Sequence, residues 1–259
     1  MNATTAVLVA LIVWWAGTGV LFLLNRLRPS ATPFTVLGSC AAVGAAVAAI
    51  EVSAPFATPA GAYVAFSAAV LLWAGLEMPH LLGVFTGPVR DACPPALRGF
   101  PRFTRAIGVG LYHDLAIMAT GLGLIALLLR ADNAVAAWTF CTLWLMRWSA
   151  KLNLFLGMPN VDLDLVPERM RYLATYMTAR AMNPLFPVSV ILGALVFAYH
   201  LTSARPGDVT GAFEVTAGTL LATLTGLAVI EHLLMVIPLK ESALWRWALP
   251  EAAAKPVKT

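Results

Sequence analysis

The sequence predicts an all-α fold: a polytopic transmembrane helix bundle of about seven spans, with the N-terminus periplasmic and the C-terminus cytoplasmic. Composition is the first ground. Of 259 residues, 60% are hydrophobic and 12% charged, with a mean hydropathy of +0.81; soluble domains carry roughly twice that charged fraction. Segmentation is the second. Apolar stretches at 5–24, 34–54, 61–86, 106–129, 134–157, 183–203 and 213–238 each suit a hydrocarbon core ~30 Å thick, which takes ~20 helical residues to cross. The third is the placement of basic residues. With the N-terminus outside, fifteen of the 17 Lys and Arg fall on the inner side, and only Arg130 and Arg205 on the outer. Setting aside Arg147 and Lys151, which lie in the margin of span five, still leaves thirteen against two. This is the positive-inside pattern. The net charge of +4 is thereby an orientation signal, and nucleic acid is not expected as a partner.

The elements follow in order, as one integral membrane domain over 1–259. Span one reads as retained, because Met1–Thr5 lacks the basic start of a signal peptide. In span two, Gly38, Ala42, Ala45 and Ala48 recur at helical spacing. Small residues in that register permit close helix approach, and packing inside the bundle is favoured over a subunit interface. The loop near 87–105 holds four arginines and four prolines and reads as an irregular basic cap on the cytoplasmic side. The cytoplasmic loop near 158–182 contains Pro167, suited to a first helical turn. Met170, Leu173, Ala174 and Met177 then share a face flanked by Arg169, Arg171 and Arg180, the pattern of a short interfacial helix. In the short tail, 239–259, Trp245 and Trp247 beside Arg246 read as an interfacial anchor, with the last residues disordered. Cys40, Cys93 and Cys141 lack metal-like spacing and form no evident disulfide framework.

The chemistry lies in ionisable residues inside the spans. Span three carries Glu77 and His80, span four His113 and Asp114, and span seven Glu231 and His232; span five ends with Arg147 and Lys151. Ionisable groups in a hydrocarbon layer cost free energy and mark either internal pairing or a functional path. His113 lies eight residues past Arg105, His80 eight before Pro88, and Glu231 seven before Pro238. At ~1.5 Å per residue each sits roughly 10–12 Å in from the same end, so three histidines and three carboxylates could meet in one layer. Four readings stay open. Arg147 and Lys151 could pair with Glu77, Asp114 or Glu231 as structural ion pairs. Glu77, His80, Asp114 and Glu231 could hold a metal ion, since Glu-x-x-His places both ligands on one face. A histidine, His113 or His232 foremost, could ligate a tetrapyrrole. The layer could also be a transport path. No Walker lysine motif, G-x-S-x-G, CxxC or CxxCH occurs, so those chemistries have no support, and a non-catalytic role is favoured over an enzyme without excluding one.

Several stretches resemble one family of multi-pass membrane proteins. "LWLMRWSAKLNLFLGMPN" (143–160), "PRFTRAIGVGLYHDLAI" (101–117), "MNPLFPVSV" (182–190) and "LAVIEHLLMVIPLKESALWRW" (227–247) follow its order; "WWAGTGVLF" (14–22) and "GPVRDACP" (87–94) resemble its opening span and first loop. It is the photosynthetic complex assembly protein 2 family, encoded near the reaction-centre H subunit in anoxygenic phototrophic proteobacteria. The resemblance implies an assembly factor for the bacterial photosynthetic reaction centre or light-harvesting complex, with bacteriochlorophyll as the candidate cofactor. It places the protein in the bacterial inner membrane, cytoplasmic or intracytoplasmic, with photosynthetic complex subunits or other assembly factors as partners. No catalytic residue carries over. The matched positions are Glu77, His113, Arg147, Ser149, Lys151, Asn153, Asn160, Asn183, Glu231 and His232; Asp114 stands where the family has glutamate, and His80 is outside the pattern. The alternative is a membrane-embedded, metal-dependent enzyme acting on a tetrapyrrole or lipid.

Overall fold

Among the described residues there are seven long helices: α1 (Ala3–Asn25), α2 (Thr32–Ser53), α3 (Pro59–Leu81), α4 (Gly99–Leu128), α5 (Val135–Leu156), α6 (Leu185–Ser203) and α7 (Ala212–Leu234). The computed structural model describes residues 3–205 and 211–249, so the last residues of the tail lie outside the described part. Among the described residues there is no strand, only an isolated bridge between Met158 and Ala179.

All the long helices except α5 are long and apolar enough to cross a membrane, and the protein is a membrane-spanning helix bundle. The expectation of seven spans meets a difference at α5. Its 22 residues suffice in length, but Arg147 and Lys151 in its last turns dilute its apolar character. The outer faces of the apolar helices are hydrophobic, as Phe34, Leu37, Ile191 and Leu195 show by their exposure. Such surface suits lipid rather than water.

Helix ends follow from local chemistry. Thr58 caps α3, its hydroxyl oxygen accepting from the Gly61 N–H at 3.1 Å, a satisfied first-turn donor. α3 stops at Leu81 rather than 86 because Pro79 lies in its last turns and Gly83 takes a φ of +71°, a conformation easy only for glycine. The Pro79 carbonyl then accepts from both Val84 and Phe85 N–H. α4 begins at Gly99, several residues before the expected 106. Pro101 falls in its first turn, where a missing N–H does no harm.

A core of small and branched side chains unites α1, α2, α3, α4, α5 and α7. Ala10, Ala46, Ile50, Phe66, Leu72, Ile117, Phe140 and Leu224 are all essentially inaccessible within it. The small-residue stripe of α2 does not supply that contact. Gly38, Ala45 and Ala48 are exposed, and nothing lies within 4 Å of a Cβ built on Gly38. The packed face is Ser39, Val43, Ala46 and Ile50, because Gly75 of α3 lets Val43 and the Ser39 carbonyl come close.

At one end, the loops and tail lock together. Cys93 N–H donates to Thr175 Oγ1 at 2.8 Å, and Tyr176 Oη donates to the Asp91 carbonyl at 3.2 Å. Asn160 Nδ2 donates to the carbonyls of Leu234, Ile237 and Leu239 at 2.7–2.8 Å, satisfying groups left open where α7 ends. The expected interfacial helix is a tight 3-10 segment, Glu168–Tyr176, broken at Met170. Met170 is fully buried, so that face packs inward. Of the expected tail anchor, Trp247 is exposed but Trp245 is not. Trp245 is 1% exposed, its Nε1 donates to the Trp15 carbonyl at 3.0 Å, and Trp15 Nε1 returns a bond to the Leu244 carbonyl at 2.9 Å. Trp245 also packs edge-on against Trp14, with ring centroids 5.3 Å apart. The described part of the tail is a clamp on α1.

Replacing Gly75 tests the α2–α3 contact. A Cβ there would stand 2.7 Å from Val43 Cγ2 and 3.1 Å from the Ser39 carbonyl. Gly75→Leu should cost about 1–3 kcal/mol, read as a lower melting temperature in detergent, whereas Gly38→Leu should leave it unchanged. Equal melting of the two variants would refute the packing.

Candidate functional site

α3, α4 and α5 bring six ionisable side chains into one layer. Arg147 Nη1 lies 2.8 Å from Glu77 Oε1, pairing α5 with α3. One turn on, Lys151 Nζ donates to Asp114 Oδ1 at 2.5 Å, pairing α5 with α4. The four-residue spacing puts both cations on one face, and each meets its own carboxylate. His113 is wedged between the two acids, Nε2 3.6 Å from Glu77 Oε1 and Nδ1 3.6 Å from Asp114 Oδ1. It is fully buried, and neither ring nitrogen is within hydrogen-bond geometry. His80 stacks on it at 4.1 Å between centroids and 24° between planes. The His80 Nδ1 meets the Phe85 carbonyl at 3.3 Å, a contact created by the turn that ends α3.

Burial explains the matching. Glu77 is 4% exposed at its side chain, and an unpaired buried carboxylate would carry a penalty of several kcal/mol. Arg147 keeps spare donors: one nitrogen approaches Glu77, while Nε is buried without a partner.

The other two members of the expected layer go elsewhere. His232 of α7 is held by α5 and by its own helix, Nε2 sharing a hydrogen bond with Ser149 Oγ at 2.8 Å and Nδ1 with the Ala228 carbonyl at 2.9 Å. Neither nitrogen is left for a ligand. Glu231 has Trp14 and Glu241 as its polar neighbours, on the side facing α1 and the tail. Among the described residues, no three His, Cys, Asp or Glu side chains converge in metal-binding fashion.

Two polar clusters carry more structure than their spacing in sequence suggests. Asn153 Nδ2 donates to Ser189 Oγ at 3.0 Å, and Asn183 Nδ2 donates to Asn153 Oδ1 at 3.1 Å and the Gly157 carbonyl at 3.0 Å. These bonds tie α5 to α6. Ser149 completes the link to α7. The sequence signals for them were the polar residues of "SAKLN" inside an apolar segment and the family-matched positions Ser149, Asn153, Asn183 and His232.

The layer forms part of the wall of a cavity of about 570 Å³, within the size range of small-molecule sites. Trp14, Phe22, Trp73, Leu143 and Leu224 give it an apolar, aromatic lining; Glu77, His80, Asp114, Arg147 and Lys151 form a polar wall on the α3–α5 side, and Glu231 and His232 line it from α7. Asn160, Met170 and Glu241 from the docked loops and tail bound it at one end. His113 is behind His80 and does not reach the wall.

Fold and site together define a multi-pass membrane helix bundle with a matched ion-pair layer on the wall of an apolar internal cavity. The chain belongs to the family described as "Protein of unknown function (DUF3623)", whose model matches residues 1–256. It is 36% identical over 266 aligned positions to the "Uncharacterized 30.4 kDa protein in puhA 5'region" of Rhodobacter capsulatus, covering 99% of this chain and 96% of that protein. No solved structure matches.

Two tests follow from this geometry. Arg147→Gln leaves Glu77 buried without its paired cation and should cost about 3–5 kcal/mol. Glu77→Gln in the same chain should restore most of that, measured by melting and by yield in the membrane; a double variant no better than the single one would refute the pairing. The second concerns Glu241, outside the helices that span. Burial, helped by the Asp162 carboxylate, pushes its carboxyl up to about 7 from an ordinary 4.5. The folded state thus holds a proton that the unfolded chain releases, so tail docking should weaken as pH rises from about 4.5 to 7. Trp245 emission should shift to longer wavelength across that window, and Glu241→Gln should abolish the shift.

Proposed function

We propose that this protein is an assembly factor for the bacterial photosynthetic reaction centre or its light-harvesting complex, handling bacteriochlorophyll in the photosynthetic inner membrane. The observation that carries this reading is the location of the Rhodobacter capsulatus relative in the puhA 5' region, with similarity running along the whole chain rather than one segment. The motifs at 101–117, 143–160 and 227–247 support it through their resemblance to the assembly family. Those same segments supply the α4 and α5 members of the ion-pair layer, the Ser149–His232 contact and the docked tail. The cavity supports the pigment branch of the reading, since its walls are largely apolar and aromatic, with the ion-pair layer on one side.

In this reading the orientation set by the basic residues places the docked loops and tail at the cytoplasmic end, with α5 as a seventh crossing helix. The exposed apolar faces of α2 and α6 are then open to lipid or to a nascent subunit. A membrane enzyme with a metal centre is the second reading. Its donor set is poorer, because Glu77 and Asp114 each already face a cation.

Deleting the gene in its phototrophic host should lower the near-infrared absorbance of reaction centres or antenna per cell by about several-fold, a deficit on the order of 1 kcal/mol in an assembly equilibrium. Wild-type sequence should restore it, and crosslinked protein should copurify a photosystem subunit. Unchanged spectra in the deletion strain would overturn the reading.

A further inference from the structure

The three histidines near the layer differ in what their nitrogens have left to offer. Both nitrogens of His232 are engaged, by Ser149 and the Ala228 carbonyl. His113 is enclosed between two carboxylates and the His80 ring, away from the cavity. Of the two that line the cavity, His232 and His80, only His80 has a nitrogen left to offer it. It is 4% exposed, its Nδ1 is tied to the Phe85 carbonyl, and its Nε2 has no hydrogen-bond partner among the described residues.

That tie decides the tautomer. A carbonyl accepts only, so Nδ1 carries the proton and Nε2 is left with a free lone pair. A histidine held through one nitrogen by a backbone carbonyl, with the other nitrogen open, has the arrangement of a metal ligand. Stacking on His113 restricts the ring further.

One imidazole cannot hold a bare ion, which needs three or four protein ligands, and Glu77, three residues away, is occupied by Arg147. It does suffice for a metal that arrives with four equatorial nitrogens of its own. The rest of the cavity fits that class. Trp73, Trp14 and Phe22 offer flat apolar walls, while the unspent N–H groups of Arg147 and Lys151 can donate to peripheral carbonyl oxygens. The matched charges of the layer leave no net charge there for a neutral macrocycle to oppose.

We infer that the cavity binds a metallotetrapyrrole, with His80 Nε2 as the axial ligand to the ring metal. This assigns the ligand within the pigment-handling reading above and rests on that reading for the ligand class. It is tested without reference to assembly. Purified protein in detergent is titrated with zinc pheophorbide methyl ester, with the same macrocycle free of metal, and with ferrous haem, following the visible bands and tryptophan quenching.

The zinc macrocycle should bind at least about tenfold more tightly than the metal-free one, with a band shift of five-coordination. His80→Ala should abolish the preference, and added imidazole should restore the shift. His232→Gln should keep it. Stronger binding of ferrous haem than of the zinc macrocycle would identify the source as haem rather than a chlorophyll-type pigment, with His80 still the ligand. Should His80→Ala fail to fold, the two macrocycles on wild type still decide whether metal is ligated, and nitrogen-15 shifts of labelled histidine identify the ring. Equal affinity with and without metal, or a preference that survives in His80→Ala, would overturn the inference. An unchanged photosystem in the deletion strain, beside intact metal-dependent binding, would remove the assembly role and leave the site standing.

Discussion

Two cations on one face of α5 must meet anions before that helix can lie among apolar neighbours. Arg147 and Lys151 do so by reaching in different directions, to Glu77 on α3 and to Asp114 on α4. Four ionisable groups are thereby neutralised in pairs, and three helices are held in fixed rotation. A hydrophobic contact alone would not set that rotation, because lipid is as apolar as leucine and gives no penalty for turning the helix. The rest of the site follows from the pairing. His113 fills the space between the two acids, His80 stacks on His113, and Ser149, on another face of α5, is presented to His232.

The same constraint shapes the cavity. A layer confined to α3, α4 and α5 leaves the space toward α1 and α7 largely to apolar and aromatic side chains, with Glu231 and His232 at its edge. The tail then bounds that space rather than floating at a membrane surface. Trp245 and Trp15 exchange indole-to-carbonyl hydrogen bonds, which places Glu241 on the cavity wall near Glu231. Cavity, loops and tail form one connected unit, because Asn160 ties the loop after α5 to the end of α7 while the 3-10 segment buries Met170. The docked loops and tail therefore cap one end of the bundle and shield the cavity there.

Much of the fold was legible in the sequence because lipid imposes a simple rule: a spanning segment satisfies its backbone within itself and must be long and apolar. Length and composition therefore located each helix. Boundaries shifted only where local chemistry intervened, as at Pro79 and Gly83, which end α3 early, and at Gly99, where α4 starts ahead of its apolar stretch. The small-residue stripe of α2 was legible as a pattern but not as a contact. Periodicity marks two faces of such a helix equally, and Gly75 on α3 decided which one is packed.

Depth along the helix axis was likewise readable, since residues equally far from a helix end lie at similar levels. Residue spacing therefore identified Glu77, His80, His113, Asp114, Glu231 and His232 as groups at one level, and Arg147 and Lys151 as cations in need of partners. Rotation about the axis was not readable. Tertiary packing alone turned Glu231 toward Trp14 and Glu241, gave both nitrogens of His232 to Ser149 and Ala228, hid His113 behind His80, and left His80 on the cavity wall. The physical reason is that axial position is a property of one helix, whereas the direction a polar side chain takes is set by which neighbour can satisfy it.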